Sequence, residues 1–240
     1  MAWVFPSGGL WVSVQASLGE AFYEPLAKQA MMRAVIEGGA FGLRLAGPDD
    51  IAWARNQWPA LPIIGITKPD PLPDQWQSLV YITPTLDAMV TVAQAGATVV
   101  ATDGTQRPRG DDLSLSETLR LFKQLCPNTL VMADCDSLAS AQAAVLAGVD
   151  AVATTLSGYT QDSAVQGSPH PYEPDWALLY QLTQQLTVPV VMEGRLWDPA
   201  QVAKAFRLGA SQVVVGSAIS RPHQITQRLV QAAVQPIGLQ

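Results

Sequence analysis

Eight short apolar runs, spaced through the chain, constrain its fold more than any other feature. They read LWVSVQ (10–15), FGLRLAG (41–47), PIIGITK (62–68), TVVATDG (98–104), TLVMAD (129–134), DAVATTLS (150–157), PVVMEG (189–194) and QVVVGSA (212–218). Their hydrophobicity is continuous rather than alternating, the pattern of parallel strands covered on both faces. Between them lie segments with helical spacing. PLAKQAMMRAVIEGG (25–39) and SLASAQAAVLAGVD (137–150) place apolar residues three and four apart and stop at glycine. Ser114 stands three residues before Glu117, a capping box, and DPAQVAKAFRLGA (198–210) opens on Asp-Pro and closes on Gly209. Eight βα units in 240 residues predict an α/β fold, a (β/α)8 TIM barrel forming one domain over 1–240. A doubly wound open sheet shares the alternation. The barrel is favoured because no glycine-rich dinucleotide loop follows the first run and no composition break marks a second domain. VYITPT (80–85) is read as a turn leading into the third helix, and the polar stretch 159–175 as a long loop after the sixth strand.

Composition narrows the partners. A net charge of −6 argues against nucleic acid but leaves room for a small anionic substrate held by a few concentrated arginines. Cys126 and Cys135 lack metal-ligand spacing and read as free thiols in a reducing compartment. No apolar run approaches a membrane span, and the first positive side chain is Lys28, so the N-terminus lacks the basic region of a signal peptide. The expectation is a soluble, cytoplasmic protein without membrane partners. The two histidines, His170 and His223, belong to no histidine–carboxylate ligand set, so no metal site is expected. Dinucleotide, P-loop and serine-elbow motifs are missing, and no nucleotide cofactor is expected. The seven tryptophans and the Met31–Met32 pair read as packing or rim residues.

In a barrel, chemistry gathers where the strands run out at their C-terminal ends. Those positions hold Gln15, Arg44, Lys68, Asp103, Asp134, Thr154, Thr155, Glu193, Gly216 and Ser217. Charges collected at one rim are hard to explain as stability alone. Lys68 is one of only four lysines, and Pro69 fixes the chain beside it in extended geometry. A partly desolvated lysine has a lowered pKa and can move protons, whereas a carboxylate partner would favour its charged form. Lys68 and Glu193 could meet across the mouth, either as chemistry or as a buried ion pair. Arg44 could pair with Asp70 or another carboxylate, or hold a substrate oxygen. Gly194, Arg195, Gly216, Ser217 and Arg221 supply glycine turns, a helix start and arginines after the last two strands, the parts of a phosphate site. The same residues also fit two glycine turns and a capping arginine.

The motifs GGLWVSVQA, VIEGGAFGLRLAGPDDI, PIIGITK, VYITPTL, MADCDSLASA, TTLSGYT, VVMEGR and GASQVVVGSAISRP resemble, in order, the N-acetylmannosamine-6-phosphate 2-epimerases over almost the whole chain. The resemblance implies a (β/α)8 barrel that interconverts N-acetylmannosamine 6-phosphate and N-acetylglucosamine 6-phosphate without metal or cofactor, in amino-sugar and sialic acid catabolism. It places the catalytic lysine on Lys68 and the glutamate on Glu193. Arg44, Asp134 and Gln15 become sugar contacts, and Gly194–Arg195, Gly216–Ser217 and Arg221 the phosphate loops. Thr155 joins the substrate-binding set. The chain departs from the family at ATDGTQRPRGD, where Gly104 is expected to loosen the backbone beside Asp103, Thr105, Arg107 and Arg109, and in the longer loop carrying His170.

Inverting C2 beside an aldehyde requires removing an acidified proton and returning one to the opposite face. Lys68 is the expected base and Arg44 the expected donor to the enolate oxygen. Glu193 would orient the lysine, bind the sugar or share the proton work. Two other readings compete: a lysine Schiff-base aldolase and a non-catalytic phosphosugar sensor. The apolar, Gln-rich C-terminal helix is either a homodimer face or the last barrel helix.

Overall fold

The computed structural model describes Phe5, residues 7–165 and residues 173–234. Eight parallel strands close into a barrel in sequence order: β1 (Leu10–Val14), β2 (Gly42–Ala46), β3 (Ile63–Ile66), β4 (Val99–Asp103), β5 (Leu130–Asp134), β6 (Ala151–Ala153), β7 (Val190–Glu193) and β8 (Gln212–Val215). Each lies inside one of the eight apolar runs. The helices are α1 (Pro25–Glu37), α2 (Pro48–Gln57), α3 (Leu86–Gln94), α4 (Leu115–Leu125), α5 (Leu138–Ala147), α6 (Gln161–Val165), α7 (Trp176–Gln185), α8 (Pro199–Arg207), α9 (Ser217–Ser220) and α10 (Pro222–Val234). Their ends follow local chemistry. Ser114 and Glu117 form the expected capping box on α4, Asp198 caps α8, and α5 stops at Gly148 in the left-handed region (φ 101°).

Side chains alternate across each strand. One set, including Val12, Leu43, Leu45, Val100 and Val131, packs between barrel and helices. The other, including Trp11, Ile64, Val99, Met132, Ala151, Val191 and Val214, fills the barrel. Trp11 makes the floor, donating from its indole to Gln212 Oε1 at 2.9 Å. Gly42, its register partner, leaves the space: a Cβ there would lie 2.5 Å from the Trp11 ring.

VYITPT forms no strand. Thr83 N donates to Thr67 O (2.8 Å) and Asp103 N to Ile82 O (2.9 Å), which lays the segment across the ends of β3 and β4 before Thr85 caps α3. The expected turn is thus a hydrogen-bonded one. The stretch 159–175 differs from the loop expected, because it contains α6. Thr160 Oγ1 accepts from Ser163 N (3.2 Å), the N-cap interaction that starts this short helix. His170 lies outside the described residues.

Candidate active site

The inward-facing layer at the C-terminal rim carries the charges. Ser13 is in register with Arg44, and Asp103 with Asp134. A cavity of about 530 Å³ opens above this layer, lined among others by Gln15, Arg44, Lys68, Tyr81, Thr155 and Glu193. Arg44 is 1% exposed and grips Asp134 with both terminal nitrogens, Nη1 to Oδ1 at 3.0 Å and Nη2 to Oδ2 at 2.6 Å. Its Nη1 also donates to Glu193 Oε2 at 2.6 Å, while its Nε is buried without a partner among the described residues. Thr155 Oγ1 bridges Asp134 Oδ1 (2.7 Å) and Glu193 Oε2 (3.2 Å). Strands from three parts of the chain therefore meet in one hydrogen-bonded cluster. Asp134 is fully buried beneath it and does not line the cavity.

One guanidinium facing two carboxylates leaves a negative charge over. Burial dominates the outcome at Glu193, pushing its pKa up to about 7; Asp134 adds to the rise, and Arg44 and Thr155 oppose it. Glu193 thus holds a proton into the neutral range. Arg44 responds in the other sense. Burial disfavours its charge, but Asp134 and Glu193 outweigh that and hold it firmly protonated.

Lys68 follows β3 and stands apart from this cluster. Among the described residues it makes no ion pair or hydrogen bond, so the possible contact with Glu193 is not formed; Arg44 occupies that carboxylate instead. Burial lowers the Lys68 pKa, and the positive charges of Arg221 and Arg44 lower it further, with Asp70 and Glu20 opposing. The neutral amine is accordingly more accessible than in an exposed lysine. Arg44 pairs with Asp134 and Glu193 rather than Asp70, whose Oδ2 accepts from Leu18 N (2.9 Å).

Gly194, Arg195, Gly216, Ser217 and Arg221 all reach the same cavity. Gly194 (φ 114°) and Arg195 (φ 59°) turn through the left-handed region, and Gly216 precedes α9 without a side-chain cap, leaving backbone N–H groups open. The Arg195 side chain is committed elsewhere. It donates to Ser157 O (2.8 Å) and Glu173 O (2.6 Å) and lies over the Tyr159 ring. Arg221 donates to Gln15 O at 3.0 Å and stands 3.5 Å from Glu20 Oε1.

Asp103, Thr105, Arg107 and Arg109 form a second cluster that does not line the cavity. Asp103 accepts from Arg107 Nη2 (2.6 Å) and Thr105 Oγ1 (2.6 Å), and its carbonyl accepts from Arg109 Nη1 (2.8 Å). Gly104 does not loosen this segment. A Cβ there would lie 2.7 Å from Ala133 Cβ, so the glycine permits β4 to pack closely on β5. Trp76, Tyr81 and Trp197 also line the cavity, although the sequence reading gave them no part in it. The signal for Tyr81 was an unexplained apolar run beside a strand end.

A family model described as "Putative N-acetylmannosamine-6-phosphate epimerase" matches residues 28–235. A curated protein of Thermosynechococcus vestitus, described as an N-acetylmannosamine-6-phosphate 2-epimerase of the same provisional standing, is 42% identical over 217 residues, covering 89% of this chain and 88% of its own. One from Caldanaerobacter subterraneus, described in the same words, is 38% identical over 223 residues, 92% of this chain and 90% of its own. The solved structure of the N-acetylmannosamine-6-phosphate 2-epimerase from Clostridium perfringens superposes with a TM-score of 0.85 at 33% identity, covering 95% of this chain and 94% of that one. The barrel order, the rim chemistry and these likenesses agree, and the chain belongs to the N-acetylmannosamine-6-phosphate epimerase family.

Proposed function

We propose that this protein interconverts N-acetylmannosamine 6-phosphate and N-acetylglucosamine 6-phosphate by moving the C2 proton, with Lys68 as the base. Family membership supports the reaction. The single structural observation that carries the role of Lys68 is an unpaired lysine of lowered proton affinity on the cavity wall. Its neutral amine takes the C2 proton of the open-chain sugar, and the electron pair moves into the C1–C2 bond and onto the carbonyl oxygen. Glu193, protonated near neutrality, is suited to return a proton to the opposite face. Because Arg44 spends Nη1 on both carboxylates and Nη2 on Asp134, its role is to fix Asp134 and Glu193 rather than to meet the enolate oxygen. The open N–H groups at Gly194–Arg195 and Gly216–Ser217, with Arg221 and Gln15, anchor the phosphate and sugar so that binding far from C2 positions it.

Sugar phosphates do not cross membranes unaided, and Cys126 and Cys135 are both free thiols, which supports a cytoplasmic setting. Among the described residues no helix is long and apolar enough to cross a membrane. Leu229 (67% exposed) and Val230 (54%) on α10 support a homodimer through that face, which sedimentation would test.

The direct test is NMR of N-acetylmannosamine 6-phosphate incubated with the protein and EDTA in D₂O. Growth of N-acetylglucosamine 6-phosphate with deuterium at C2 is the expected result. Folded protein that binds the sugar phosphate but yields neither product nor deuterium would remove the epimerase reading. Lys68→Ala should lose roughly 10²–10⁴-fold in turnover while still binding the sugar phosphate, the usual contribution of a positioned base.

A further inference from the structure

Tyr81 lines the cavity and is only 9% exposed. Its ring is gripped from two sides. Trp76 meets it edge to face, with centroids 5.6 Å apart, and the Arg107 guanidinium lies over it at 5.9 Å. Arg107 is in turn fixed by Asp103 at 2.6 Å and by the Gln77 carbonyl at 2.9 Å. The backbone is pinned as well. Thr83 N donates to Thr67 O (2.8 Å), and Thr67 N donates to Thr83 Oγ1 (3.0 Å). Lys68 is the next residue after Thr67, so the base and the phenol share one hydrogen-bonded bracket at the end of β3.

The hydroxyl at the tip of this rigid ring has no hydrogen bond among the described residues. The ring is nearly buried, but its oxygen is not cut off from solvent, so the hydroxyl is open to whatever the cavity holds. Burial, aided by Asp103 and Asp134, pushes the Tyr81 pKa well above the ordinary phenol value, so its proton stays in place at any working pH. Arg44 and Lys68 line the same cavity as this ring. The group is a neutral donor on a fixed ring, with no acceptor among the described residues.

We propose that Tyr81 is a further catalytic residue, whose hydroxyl donates a hydrogen bond to the carbonyl oxygen of the open-chain sugar as negative charge grows there. The inference rests on Lys68 being the base. The C2–H bond breaks, the proton goes to Lys68 Nζ, and the electron pair forms the C1–C2 double bond while the carbonyl becomes an alkoxide. The phenol proton remains on Tyr81. A donor aimed where charge develops is worth about 10²–10³-fold in rate in a water-poor site.

Tyr81→Phe keeps the ring and removes only the hydroxyl. Measured beside the wild type, the variant should lose roughly 10²-fold in kcat with KM within about threefold, and an unshifted thermal midpoint. With substrate deuterated at C2, its isotope effect on kcat should be larger than the wild type's, because proton transfer has become slower. A kcat within about twofold of wild type, or a loss confined to KM, would overturn the proposal. So would a fall in midpoint beyond about 5 °C, which would mean the hydroxyl serves the fold. An active wild type with an unaffected Tyr81→Phe sinks only this inference. An inactive wild type, or a fully active Lys68→Ala, sinks the base reading beneath it.

Discussion

Asp103 and Asp134 are register partners on adjacent strands, both fully buried, each gripped by an arginine at 2.6 Å. They nevertheless belong to clusters of opposite character. The Asp103 cluster has donors to spare: Arg107 and Thr105 meet the carboxylate, while Arg107 and Arg109 also donate to the carbonyls of Gln77 and Asp103. It is sealed from the cavity. The Arg44 cluster has acceptors to spare, with two carboxylates on one guanidinium, and Glu193 opens onto the cavity. A saturated, sealed cluster rigidifies a loop. A charge-deficient one resolves its imbalance by holding a proton, and a proton held beside a cavity can be given to a substrate.

The contrast breaks most visibly at Arg44. Arg44→Met leaves Asp134 and Glu193 buried without a counter-charge, which should cost about 3–5 kcal/mol of stability. Turnover should fall at least about 10³-fold, since both carboxylates lose their positions. Denaturant unfolding and steady-state kinetics read the two effects. Retained activity would show that the cluster is not part of the machinery.

Glu193→Gln sharpens the comparison by copying the protonated acid. Epimer formation should drop about 10²–10⁴-fold, the usual worth of a general acid. Lys68 should still exchange the C2 proton with D₂O, so deuterium would enter unreacted substrate without inversion. Stability gives a second reading. The folded pKa of about 7 lies above the ordinary carboxyl value of 4.5, so protonated Glu193 favours folding. That contribution is complete below pH 4.5 and is lost as the pH rises through about 7. Glu193→Gln should flatten this decline, an effect of up to about 3 kcal/mol. A wild type with no such decline would mean that Glu193 is ionised throughout.

Arg107→Met tests the sealed cluster. Burial already raises the Asp103 pKa and Arg107 opposes it, so removing the arginine strands a buried carboxylate. A loss of about 2–4 kcal/mol is expected, with a fall in kcat smaller than that of Arg44→Met and passed through the Tyr81 ring that Arg107 covers. A collapse in kcat with unchanged stability would reverse the assignment of the two clusters.

The difference between the clusters was only partly legible in the chain. Continuous apolar runs placed all eight strands, because burial on both faces leaves no choice of residue type. Arg44, Lys68 and Glu193 stood out as charges in apolar surroundings. Their partners did not, since pairing across a barrel depends on strand tilt and on which neighbour reaches first. Glu193 could have met Lys68 across the mouth and is held instead by Arg44. Arg195 looked like an anion ligand until its guanidinium was found on the carbonyls of Ser157 and Glu173. Tyr81 was invisible as chemistry because a tyrosine in an apolar run has the same pattern as a packing residue.

The smallest expected effect falls at the seam where the two clusters touch. Gly104 follows Asp103 and donates its N–H to Asp134 O at 2.9 Å. A Cβ at this position would lie 2.7 Å from Ala133 Cβ and 3.2 Å from Cys135 Sγ. The nearer neighbour is a Cβ fixed to the backbone, so β5 must shift to admit a methyl group. Gly104→Ala should therefore destabilise by about 1–3 kcal/mol, the usual cost of overpacking. Because β5 carries Asp134, a fall of a few fold in kcat should accompany it. Adding Ala133→Gly removes the nearer contact and should recover part of both losses, a coupling that independent sites would not show. If Gly104→Ala were neutral and the pair merely additive, β4 and β5 would have slack between them. The separation of the two clusters would then rest on their hydrogen bonds alone, without the packed seam.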